Sequence, residues 1–278
     1  NEKRAIEHVK TILSNMKYKQ IEATHDFYLK MFYLNKKISN NLNYDLVLVD
    51  EAQDISDVMI GIIENLNCRR IYVGDSFQQI YTFRFATNAL NKIDLPSFDL
   101  TKSFRFGDNY AKTLESNLNS LYEITKTRLL KISGVETNTK IGREFINFSK
   151  PFCVIARSTF GLIQQLVYFI HDKKKIYFEG GYNSYSFMNQ TVYSIFYLKQ
   201  KKNDKITIDE IKDFETIAEL EQFAKDTKNQ DYLNIIKFIN TYGDNIFEIN
   251  KKIKEFLVTD KKDADIIFTT THKSKGLE

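Results

Sequence analysis

Hydrophobic positions along this chain change period several times, and each change marks an element. In residues 1–40 they recur at helical spacing: Ile6, Val9, Ile12 and Leu13, then Phe27, Leu29, Met31, Phe32 and Leu34. From Tyr44 to Asp50 the spacing collapses into a short apolar run that reads as a strand, and Val58–Leu66 reads as an apolar helix. Arg70–Gly74 is a second predicted strand, closed by Gly74-Asp75, and a third lies near Phe98–Leu100. A helix is predicted from Asp108, with Tyr110, Leu114, Leu118 and Leu121 on one face. Phe152–Ala156 reads as a strand, 160–170 as a helix, and Lys175–Phe178 as a strand ending at Gly180-Gly181. Residues 185–258 are helical by period throughout, and Asp265–Thr270 returns to strand. Strands alternating with helices predict an α/β fold with parallel sheets, and a helical block that interrupts the alternation reads as an insertion.

Composition narrows the class without naming a chemistry. With 278 residues, about two domains are expected, and 42% hydrophobic content excludes a mainly disordered chain. Lys+Arg 40 against Asp+Glu 36 leaves +4, so any surface for a polyanion must be a local concentration of charge. The runs at 173–175, 201–202, 251–252 and 261–262 fit phosphate contacts or, as such runs more often are, solvated faces. Cys68 and Cys153 lie far apart, each beside a predicted strand, so buried reduced thiols are expected rather than a disulfide or metal site. The four histidines show no metal-ligand spacing. No apolar stretch reaches membrane-spanning length and the first residues are charged, so no membrane association and a cytoplasmic (intracellular) location are expected.

Chemistry concentrates at the strand ends. Asp50-Glu51-Ala52-Gln53-Asp54 follows the first strand. In open α/β sheets ligands lie outside the carboxyl ends of the strands. A carboxylate placed there can hold Mg²⁺ on a nucleotide while its neighbour orients or deprotonates the attacking water. A plainer alternative is a buried strand running into a polar helix start, with Asp54 near its N-cap. Three more motifs stand at later strand ends: Gly74-Asp75-Ser76-Phe77-Gln78-Gln79-Ile80-Tyr81-Thr82-Phe83-Arg84-Phe85-Ala86, Leu100-Thr101-Lys102-Ser103-Phe104-Arg105, and Thr270-Thr271-His272-Lys273-Ser274-Lys275-Gly276-Leu277-Glu278.

In this order and spacing the four motifs resemble the UvrD/Rep/PcrA-type helicases of superfamily 1. Gln78-Gln79-Ile80-Tyr81, with Thr24-His25-Asp26-Phe27-Tyr28-Leu29-Lys30 upstream, is similar to the F-box DNA helicase-like branch in particular. The resemblance implies two RecA-like parallel-sheet lobes, the first incomplete, with a helical insertion in the second. It divides the chain into a helical segment at 1–40, the back half of the first lobe at 41–98, the second lobe at 99–184, its insertion at 185–258, and the second lobe resumed at 259–278. It implies ATP and Mg²⁺ as cofactors. The partner it implies is single-stranded DNA, or DNA with a 3′ single-stranded tail, along which the protein moves 3′ to 5′.

Residue by residue, the resemblance makes Asp50 the Mg²⁺ ligand, Glu51 the base and Gln78 the γ-phosphate sensor. Phe104 would stack on the adenine, with Arg105 reaching the γ-phosphate, and Arg157, Gly276 and Glu278 would lie on the nucleotide side. Tyr81, Phe83, Arg84, Thr270, His272 and Lys275 would meet DNA. Phe83 stands where the family usually has Trp, keeping a stacking face of smaller area, and Phe85 replaces the usual Gly. Packing in a core remains the alternative for Phe83, a turn role for Gln78, and a surface salt bridge for Arg105.

No Gly-x-x-x-x-Gly-Lys-Ser/Thr loop occurs in the sequence, and the family's final arginine motif is also lacking. The chain opens Asn1-Glu2-Lys3-Arg4 and closes inside the fourth motif. The expectation is an internal piece of a longer enzyme, carrying half of an ATP site and inactive by itself. Two alternatives stay open: a non-catalytic helicase-like DNA-binding protein, and part of a helicase–nuclease.

Overall fold

A computed structural model describes residues 2–35, 42–81, 86–122, 129–135, 139–185 and 187–277. The chain divides into two compact units, Asn1–Gly142 and Arg143–Glu278. The architecture is α/β with small parallel sheets, in keeping with a RecA-like fold.

The first unit begins with α1 (Glu2–Lys17) and α2 (His25–Leu34). Thr24 starts α2 by accepting the Phe27 N–H at 3.3 Å, a standard N-cap. β1 (Leu46–Val49) and β2 (Arg69–Tyr72) pair in parallel, with Val49 opposite Tyr72. Parallel strands need a crossover, and α3 (Asp57–Glu64), capped by Ser56 on the Met59 N–H, supplies it. Val49, Ala52, Ile55, Ile60 and Ala89 form the small core between them.

The third strand lies a few residues beyond its expected place. β3 spans Lys102–Gly107 and pairs in parallel with β4 (Ser133–Val135). Phe98 and Leu100, expected as strand, are 91% and 92% exposed. The ladder decides the register: the Ser133 N–H reaches the Thr101 carbonyl at 2.7 Å, so pairing starts only there. As a result Ser103-Phe104-Arg105 runs inside a strand rather than following one. α4 (Asp108–Asn119) starts where the sequence placed it.

The second unit is built on β5 (Phe152–Ala156), β6 (Ile176–Phe178) and β7 (Ile266–Thr270), in the order β5-β7-β6 and wholly parallel. β7, last in sequence, is central, so it carries the most buried residues: Ile266, Phe268, Thr269 and Thr270. α5 (Thr159–Phe169) packs on the sheet with Leu162, Ile163 and Leu166 fully buried. The helical block comprises α6 (Gln190–Lys199), α7 (Asp209–Lys212), α8 (Ile217–Asp226), α9 (Gln230–Tyr242) and α10 (Asn245–Phe256). Its buried residues, Ile195, Leu220, Ile239 and Ile253 among them, are continuous with those of the sheet.

The buried-thiol expectation fails at Cys153, which is exposed, and Cys68 is half-buried. β5 is an edge strand whose side chains alternate: Phe152, Val154 and Ala156 turn inward while Cys153 and Ile155 turn out. No helix among the described residues is long and apolar enough to cross a membrane.

Candidate functional site

The first unit gathers its chemistry at the carboxyl ends of β1 and β2. The ladder continues one step past the strands, through Val73 N–H to the Val49 carbonyl at 2.8 Å and Ala52 N–H to the Val73 carbonyl at 2.9 Å. Between these bonds Asp50 and Glu51 are carried out of the sheet into solvent. Glu51 takes the left-handed conformation, φ 51° and ψ 42°, which is uncommon for a residue with a Cβ. Its N–H donates to Asp50 Oδ1 at 2.9 Å, which orients the Asp50 carboxylate.

A chain of polar contacts joins this turn to the next. Gln53 is completely buried. Its Nε2 donates to Glu51 Oε2, and its Oε1 accepts the Asp75 N–H at 3.0 Å. Asp75 Oδ1 accepts the Phe77 N–H at 2.9 Å, forming the turn that follows β2. Asp75 Oδ2 accepts from Gln78 Nε2, also at 2.9 Å. Asp50, Glu51 and Gln78, three residues singled out by the sequence, are therefore brought together. The connectors Gln53 and Asp75 were not singled out. Their signal was present as a polar residue two beyond the second acid, and as the Asp of a Gly-Asp pair ending the next strand.

The other expected residues of this unit are placed less specifically. Tyr81 is half-buried, and Phe83 and Arg84 lie outside the described residues. Phe104 is 78% exposed on β3, with Lys102 Nζ 5.8 Å from its ring centroid. Arg105 is exposed on the same strand, in a different sheet from β1 and β2, and its N–H donates to Ser103 Oγ at 3.3 Å.

In the second unit the corresponding strand ends open into a cleft of about 610 Å³. Arg157, after β5, lines it together with Thr270 and His272, so three expected residues converge there. Thr270 caps the short helix α11 (Thr271–Ser274), accepting the Lys273 N–H at 3.4 Å, and the Thr271 hydroxyl donates to the Ala156 carbonyl. Asn189, Asn229, Asp231 and Tyr232 of the helical block form part of the opposite lining. Lys273, not singled out, donates to Ser184 Oγ at 2.7 Å and lies 4.7 Å from the Tyr185 ring centroid. Burial pushes the Tyr185 phenol above its ordinary value, and its hydroxyl donates to the Glu179 carbonyl at 2.8 Å. Lys275 is half-buried beyond α11, and Gly276 has φ +78°, which a glycine adopts without strain. Glu278 lies outside the described residues. Two lysines of the basic runs, Lys252 and Lys261, are paired with Glu248 and Glu179.

A fit for Mg²⁺ rests on the donor set. No cluster of three or more His, Cys, Asp or Glu among the described residues could cage a metal. Mg²⁺ does not require a cage. It keeps several waters and binds through one or two carboxylates plus substrate phosphates, which is what the exposed, oriented Asp50 carboxylate can offer.

Residues 2–94 match the family model of the UvrD/REP helicase N-terminal domain. Across 98% of its length the chain is 29% identical to F-box DNA helicase 1 of Gallus gallus, covering 28% of that protein. Across 96% it is 28% identical to F-box DNA helicase protein 1 of Schizosaccharomyces pombe, covering 32% of it. The chain thus spans less than a third of the length of either relative. These matches agree with the resemblance drawn from the motifs: residues 2–94 are similar to the UvrD/REP helicase N-terminal domain, and nearly the whole chain is similar to part of two F-box DNA helicases.

Proposed function

We propose that this chain is part of an ATP-dependent DNA helicase that moves 3′ to 5′ along single-stranded DNA. The observation that carries the proposal is the joined set Asp50, Glu51 and Gln78 at the carboxyl ends of two parallel strands. Asp50 would hold Mg²⁺, which when bound neutralises phosphate charge. Glu51 would accept a proton from the attacking water, and the Gln78 amide would sense the terminal phosphate without adding charge. The loop that cradles the phosphates would come from sequence outside these residues, so residues 1–278 alone would not turn over ATP. In the second unit the cleft lined by Thr270 and His272 would receive the phosphate backbone of the strand, since hydroxyl and imidazole groups suit phosphate oxygens, while Arg157, which also lines it, would serve the nucleotide side.

Phosphate release by the full-length protein, with and without single-stranded DNA, tests this. Glu51→Gln is expected to preserve ATP binding and to slow DNA-stimulated hydrolysis by about 10²–10⁴-fold, the usual effect of losing a positioned base. Wild-type turnover in Glu51→Gln would overturn the assignment.

A further inference from the structure

Gln53 carries more than its place inside a short acidic motif requires. It is the one polar residue of the Asp50–Asp54 segment that is wholly buried, and both ends of its amide are engaged. A buried amide needs hydrogen bonds, but backbone groups would serve. Here the donor end goes instead to the side-chain carboxylate of a solvent-exposed residue, Glu51. That contact fixes which edge of the carboxylate turns inward. The acceptor end takes the Asp75 N–H, and Asp75 in turn holds Gln78. Glu51 and Gln78 are therefore linked through three hydrogen bonds, the middle one donated by the Asp75 main-chain N–H, that cross from the end of β1 to the end of β2.

The backbone is shaped around this link. A Cβ at Gly74 would lie 2.3 Å from Gln53 Oε1 and 2.9 Å from the Ala52 nitrogen, so only glycine lets the second strand end come this close. The left-handed turn at Glu51 brings its side chain back over Gln53 two residues on.

The geometry points to Gln53 as a positioning residue for the hydrolysis proposed above: it aims the Glu51 carboxylate and couples its position to the turn that carries Gln78. It touches neither nucleotide nor water in this scheme and acts only through Glu51 and Asp75. The inference rests on the proposed role of Glu51, and the two fail differently.

Four forms of the full-length protein separate them: wild type, Gln53→Met, Glu51→Gln and the double variant. Met keeps the volume of Gln53 and removes both hydrogen bonds. The kcat for DNA-stimulated ATP hydrolysis is expected to fall about 10–100-fold in Gln53→Met, part of the full worth of a positioned base. KM for ATP should move by less than a few-fold, because the loss falls on an aimed group and not on binding. In the Glu51→Gln background, Gln53→Met should lower kcat no further, since residues acting through one another are not additive. If Gln53→Met proves insoluble, Gln53→Glu keeps the acceptor for the Asp75 N–H, turns the donor toward Glu51 into a like charge, and should show the same fall. Unchanged kcat in Gln53→Met, or in Gln53→Glu where that variant replaces it, would overturn the inference, as would a full additional loss in the double variant. Unchanged kcat in Glu51→Gln alone would instead overturn the function on which it rests.

Discussion

The two units are nearly equal in length and differ sharply in how they hold their chemistry. In the second, one continuous core runs from Leu162 on α5 through the helical block to Phe268 on the central strand. In the first, the site rests on five small or medium buried residues, Val49, Ala52, Ile55, Ile60 and Ala89. Parallel sheets are usually covered on both faces, yet Leu48, Ile71 and Val73 of the β1–β2 pair remain exposed. Where packing is this thin, a few directed hydrogen bonds do what close-packed side chains do in the second unit. The acids at the end of β1 are placed by Gln53 and the strand-end ladder, while Thr270 ends the mostly buried central strand β7 and His272 follows on the short helix that Thr270 caps.

The contrast can be broken most directly at its strong end. Phe268 is fully buried, with its ring 5.5 Å from that of Phe178. Phe268→Ala is expected to cost about 3–5 kcal/mol in urea unfolding, the usual range for a large core truncation. A cost under about 1 kcal/mol would mean the second unit is no better packed than the first. At the weak end, Leu48 is 68% exposed. Leu48→Ser should change stability by no more than about 0.5 kcal/mol, like other exposed substitutions. A loss of roughly 2 kcal/mol or more would show that this face is covered in the folded protein, and the comparison would need redrawing.

The smallest expected effect sharpens the picture of the first unit by pH. A hydrogen bond from Lys92 Nζ, at 2.6 Å, holds the Asp57 carboxyl below its ordinary value of 3.8, with a lesser contribution from Thr87. A lowered folded-state value means the carboxylate stabilises the fold above 3.8, and that this contribution fades as pH falls through the lowered value. Melting temperatures of wild type and Asp57→Asn should therefore differ slightly at neutral pH and converge in strong acid. A difference that persists unchanged in acid would remove the ion pair as its cause.

Much of this was legible because hydrophobic period and punctuation agreed. Phe152–Ala156 and the helix start at Asp108 appear where the pattern put them, and the parallel alternation holds in every named strand pair. Failures occurred where partners, not propensity, decide. β4 contains Gly134 in a three-residue strand, and its sequence gives no strand signal. Without β4 in view, nothing moves the third strand from Phe98–Leu100 to Lys102–Gly107. Cys153 is exposed because β5 lies at the edge of its sheet, a position that hydrophobic period along the chain does not encode. At the site, Asp50, Glu51 and Gln78 were visible as strand-end polar residues. The role of Gln53 is not legible in the sequence because it comes from a contact 22 residues away, with the Asp75 N–H.

The order β5-β7-β6 also sets a timetable. Neither β5 nor β6 pairs with the other; each waits for β7, which begins at Ile266, while β6 ends at Phe178. Synthesis runs at about 5–20 residues per second, so the intervening stretch of roughly ninety residues takes on the order of five to twenty seconds to emerge. During that interval two apolar strands have open edges, the condition that invites pairing with another chain. The helices from Gln190 to Phe256 emerge in the meantime, and because they bury the same residues as the sheet, they can shelter those strands until the central one arrives.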